Sequence, residues 1–102
     1  MTPRTRDEYL DEQATKTQEG MWMTEMALMK HQERLANRKA LLDVIDTKIE
    51  KKEYSSAGDG KNEKAQVEKD IAKCEQEIKD NFSLMNDFKA DLELIERYRH
   101  AA

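Results

Sequence analysis

The sequence lacks most of what interrupts a helix. It has one proline and three glycines in 102 residues, too few for a sandwich or barrel with a turn every ten or so residues. Its one cysteine, Cys74, excludes an internal disulfide and suits a reducing compartment. Long apolar runs are also missing. The longest, Met26-Ala27-Leu28-Met29, falls far short of the roughly 20 residues that span a membrane. Met1 to Gln13 has no apolar core of a secretory signal. A soluble protein is expected, cytoplasmic or within an assembly formed there. Histidine is scarce too. Neither His31 nor His100 has a glutamate three residues before it, and neither sits in a His-Glu-x-x-His run. No metal or other cofactor is therefore expected.

What remains is charge and helix formers. Charged residues make up 39% and hydrophobic ones 37%, with a net charge of -4 and a mean hydropathy of -1.02. Such a chain is either disordered or all-α with a thin apolar seam. Placement decides between the two. Val67, Ile71, Cys74, Ile78, Asn81, Met85, Phe88, Leu92 and Ile95 alternate by four and three. That is the 3.5-residue period of coiled-coil packing. In the first half, Ala14, Met21, Leu28, Leu35, Leu42 and Ile49 form one heptad row. Its companion, Leu10, Thr17, Thr24, His31, Arg38 and Ile45, is partly polar and reads as the weaker side. Phe82 and Leu84 widen the second stripe.

The one strong turn signal is Ser55-Ser56-Ala57-Gly58-Asp59-Gly60. Gly58 suits a left-handed residue that ends a helix, and Asp59, Gly60 or Asn62 suits the next cap. The pattern predicts a long antiparallel helical hairpin, coiled-coil-like, with helices at about 21–54 and 62–98 and a turn at 55–61. Folding the chain about residue 58 sets Ile49 opposite Val67, Leu42 opposite Cys74, Leu28 opposite Phe88, and Trp22 near Leu94 and Ile95. Residues 1–20 then overshoot the second helix and form an N-terminal arm with a short helix. Thr5-Arg6-Asp7-Glu8 is its capping box, with Pro3 just before it. Gly20 is either a hinge or an interior position of one continuous helix. The layout is similar in outline to secreted Trp-x-Gly helical hairpins. Those carry the tripeptide in the turn. Here the turn has no Trp, and Met23-Thr24 follow Trp22, so the likeness stops at shape.

Chemistry finds little foothold. Cys74 falls at a core position, where burial makes a thiol inert. Gly58-Asp59-Gly60-Lys61 is too short for a phosphate-binding loop. The basic group Lys30, Arg34, Arg38 and Lys39 is diluted by Glu33, Asp43 and Asp46. Nucleic acid is thus an improbable partner. No small-molecule substrate and no catalysis are expected.

The anomaly is Met21 to Met29, where seven of nine residues are apolar. Two and a half turns that are apolar on nearly every side exceed what one partner helix covers. The predicted interface is Met21, Trp22, Met23, Met26, Leu28 and Met29 with Phe88, Leu92, Leu94, Ile95 and Tyr98. Asn81 and Arg38, placed within about a turn of each other, are candidates for register control. His31 shares the polar row and is a candidate pH sensor. Leu41 and Val44, with the Lys48 stem, suggest a smaller second contact stripe. The expected role is a non-catalytic structural or assembly subunit. It self-associates or packs into a larger body such as a viral particle or secretion apparatus. The alternatives are a small acidic chaperone or inhibitor of one protein partner, and a helical-bundle nucleic-acid regulator.

Overall fold

A computed structural model describes residues 5–101. It contains two helices, α1 (Arg6–Glu50) and α2 (Ala57–His100), and no strand among the described residues. They pair as an antiparallel helical hairpin. Asp7 and Glu8 open α1 and Lys48 closes it. Asp59 opens α2, and Arg97, Arg99 and His100 close it. This is the charge order that a helix macrodipole favours. The contacts fall into two units, one of residues 28–79 and the other of residues 1–27 with 80–102.

The unit of residues 28–79 contains the chain reversal. Glu53 donates its backbone N–H to the Lys48 carbonyl at 2.9 Å, and Lys52 donates to Ile49 at 3.1 Å. These two bonds close a Schellman cap, with Lys52 as its left-handed residue at φ 55°. Ser56 then caps α2, its Oγ accepting from the Asp59 N–H at 3.2 Å. The turn is thus earlier and shorter than the glycines suggested. No glycine has a positive φ, and Gly58 and Gly60 both lie inside α2.

That shift moves the register. Ile49 stands against Gly60 rather than Val67: a Cβ built on Gly60 would lie 3.0 Å from Ile49 and 2.9 Å from the Tyr54 ring. The cross-helix pairs Asp46–Lys64, Arg38–Asp70 and His31–Glu77 descend on α1 as they climb on α2. They set Leu35 level with Cys74, where Leu42 had been expected. The slip is one heptad, so both seam rows keep their faces while every partner changes. The core of this unit is Ile45, Val67 and Cys74, with Ile45 only 1% exposed.

In the other unit, residues 6–20 are no separate arm. They continue α1 without a break and pair with the end of α2. Thr5 accepts from the Glu8 N–H at 3.2 Å, half of the predicted capping box; Pro3 lies outside the described residues. Arg6 donates to the carbonyls of Tyr98 and Ala101, which no further helical turn would satisfy. Arg99 meets Asp11 at 2.7 Å. Gly20 is a packing notch, not a hinge. A Cβ there would lie 2.7 Å from the tip of the Phe88 ring, so Phe88 meets Gly20 rather than Leu28.

The polar row of α1 is not the weak side. Leu10, Thr24 and Ile45, all from that row, are buried. Thr24 is 6% exposed. Its hydroxyl donates to the Gly20 carbonyl at 2.8 Å, and Thr17 does the same to Gln13. Back-bonding removes the cost of burying the hydroxyl. Small residues on α1 (Ala14, Thr17, Gly20, Thr24) leave room for Met85, Phe88, Leu92 and Ile95 on α2. In the unit of residues 28–79 the sizes reverse, with Leu35, Leu42 and Ile45 on α1 and Val67, Cys74 and Gly60 on α2.

Two predictions follow from this geometry. Lys52→Gly removes the left-handed strain and raises stability by about 1 kcal/mol, measured by urea unfolding. Gly20→Ala gains about 1 kcal/mol of helix propensity but overpacks against Phe88 at a cost of about 1–3 kcal/mol. The net effect is a loss, and Phe88→Leu in the same chain relieves it. A Gly20→Ala chain more stable than its parent contradicts the notch.

Candidate interaction surface

Cys74 is 2% exposed, and no group of three or more metal-ligating side chains occurs among the described residues. No helix of the described residues is long and apolar enough to cross a membrane.

The block at 21–29 divides by face. On the heptad wheel Met21 and Leu28 are seam positions, as are Phe88, Leu92 and Ile95 on α2, and all five are half-buried. They are used up inside the hairpin. Trp22, Met23, Met26 and Met29 occupy the outward b, c and f positions of α1. Trp22 is 58% exposed, Met23 73% and Met26 61%. Met29, in the unit of residues 28–79, is exposed as well, and so is Val44. Leu94 and Tyr98 on α2 are exposed too, as are Phe82 and Leu84, which do not widen the seam. Leu41 is half-buried and lies along a shallow basic dimple with Lys30, Arg34 and Arg38. Trp22 flanks an open groove with Ala14, Thr15, Gln18, Leu92 and Glu96. An outward face that carries Trp beside two methionines departs from the charged face usual for a two-helix coil.

The polar seam residues have partners of their own. His31 Nδ1 lies 2.8 Å from Glu77, and Arg38 Nε lies 3.8 Å from Asp70. Both bases are seven residues apart on α1, and both acids seven apart on α2, so one register satisfies both. The expected closeness of Arg38 and Asn81 belonged to the other register; Arg38 pairs with Asp70. Asn81 is half-buried.

One residue had no sequence signal. Tyr54 packs its ring on Gly60, and the Lys48 ammonium sits 5.9 Å from the ring centroid. Its hydroxyl is shielded and has no hydrogen-bond partner of good geometry. Tyr54 helps line a recess of about 400 Å³ with Ile49, Lys52 and Ala57. Burial pushes the phenol above its ordinary value, and the nearby Glu63 carboxylate adds to this. A hydrogen bond to Asp46, together with charge attraction, raises Lys64 as well. A lone tyrosine beside a turn carries no periodicity; only the placement of Gly60 six residues on hints at it.

No known family, no curated protein and no solved structure matches this chain.

The two raised groups set an alkaline limit. Each binds its proton more tightly in the folded chain, so its stabilisation is complete below the ordinary values of 10.0 for Tyr and 10.5 for Lys. It is lost as pH rises through the raised values. The melting temperature is expected to fall as pH rises above about 10, and to fall less in a Tyr54→Phe, Lys64→Met chain. Equal slopes in the two chains contradict the assignment.

Proposed function

We propose that this chain works without catalysis, as a helical-hairpin assembly subunit that self-associates through the outward apolar face of α1 at Trp22, Met23 and Met26. The exposure of these three side chains is the observation that carries the reading. A lone exposed apolar residue is ordinary, but a contiguous patch with Trp at one edge is characteristic of interfaces. Surface area supports it. The chain exposes 7936 Å², whereas a folded monomer of its mass exposes about 6,000 Å². The excess is more than twice the roughly 800 Å² that each partner buries in a standard protein–protein interface. Charge supplies no competing reading, since a net charge of -4 gives no drive toward nucleic acid. The flexible thioethers of Met23 and Met26 also favour a second reading, a groove-lying helix of another protein.

Sedimentation equilibrium across a concentration series tests self-association. The parent chain is expected to form a defined oligomer. Trp22→Ser with Met26→Ser weakens it by about a hundredfold or more in Kd, because each buried side chain is worth roughly 1.5–3 kcal/mol. Circular dichroism should stay helical in both, since neither side chain is in the seam. A parent that stays monomeric up to about 100 µM, where a contact worth about 6 kcal/mol would already show, contradicts the proposal.

A further inference from the structure

The methionines fall into two chemical environments. Met21 and Met85 sit in seam positions and are half-buried. Met23 and Met26 stand outward at 73% and 61% exposure, one and four residues after Trp22. Exposure controls how readily a thioether meets a soluble oxidant. We propose that Met23 and Met26 are a peroxide-responsive modification site whose oxidation turns off the outward face of α1. This deepens the self-association reading above and rests on it for its consequence, though not for its chemistry.

The reaction is an oxygen-atom transfer from a hydroperoxide. A sulfur lone pair attacks the distal peroxide oxygen, the O–O bond breaks and an S–O bond forms. Sulfur loses two electrons, and the peroxide leaves as water or an alcohol after taking up its proton. Each event converts an apolar, pliable side chain into a polar, chiral sulfoxide. At an outward position this costs the fold little, because no seam contact is lost. At an interface it costs much, because the sulfoxide oxygen must be desolvated. Trp22 is the sole tryptophan and shares its helix face with Met26 at the i, i+4 spacing. Its emission therefore reports the local change without a label.

Limiting hydrogen peroxide added to chain diluted below its association range, followed by peptide mapping by mass spectrometry and by Trp22 emission, tests the site on the full chain. Met23 and Met26, with the exposed Met29 as an internal reference, are expected to oxidise about tenfold faster than Met21 and Met85. Far-ultraviolet dichroism is expected to stay helical, and Trp22 emission to change as Met26 is converted. Equilibrium sedimentation of the oxidised chain is expected to show association weakened by about a hundredfold. The Met23→Leu, Met26→Leu chain keeps its apolar volume and is expected to associate as the parent does, with or without peroxide. Uniform oxidation rates across Met21, Met23, Met26, Met29 and Met85 overturn the site. So does undiminished association after Met23 and Met26 are fully converted, or an equal loss in the Met23→Leu, Met26→Leu chain. A reduced parent that never associates is a separate failure, that of the self-association reading; the rate ratio and the Trp22 emission still decide whether the site exists.

Discussion

An aromatic ring seated in a glycine notch is the contact on which each unit depends. In residues 28–79 the Tyr54 ring lies on Gly60, beside Ile49. In residues 1–27 with 80–102 the Phe88 ring lies on Gly20. Heptad rows alone do not choose between registers a heptad apart, because every slip of seven restores the same faces. A notch that admits one ring does choose. Both glycines are inside helices, where each costs about 1 kcal/mol against alanine. A side chain at either would collide with the ring that now fills the space. The conformational freedom usually credited to glycine is unused at both sites.

Much of the fold was legible in the sequence because its signal is periodic. The α2 seam from Val67 to Ile95 follows its four-three spacing through every predicted position. The α1 rows are likewise the less exposed positions of that helix, apart from Ile49 near its end. What was not legible was local. The reversal uses Lys52 in a left-handed conformation, a place where glycine is the ordinary choice. The actual glycines lay a few residues later and drew the predicted turn with them. From that one displacement came the heptad slip and the apparent overshoot at the N-terminus. The hinge reading of Gly20, one of the two left open, came from the same source.

The polar row of α1 shows how a thin hairpin handles partial polarity. Its threonines bond back to their own helix, and His31 and Arg38 reach acids spaced by the same heptad on α2. The pairs are half-exposed, so each contributes little stability. Their value is in alignment: a slip of seven leaves one base or one acid alone. The apolar residues on this seam are consequently committed within the chain. Only part of the dense block at 21–29 was therefore available as a surface, and the candidate interface narrows to its outward third.

The register decides which residues are committed in this way, and the native Cys74 offers a direct way to read it. Leu35→Cys and Leu42→Cys chains, oxidised under identical mild conditions, each present one new thiol to Cys74. A disulfide needs Cα atoms about 4.4–6.8 Å apart, so a shift of seven residues, about 10 Å along a helix, is decisive. The account predicts an intramolecular disulfide in the Leu35→Cys chain and none in the Leu42→Cys chain. A disulfide in the Leu42→Cys chain alone would contradict it.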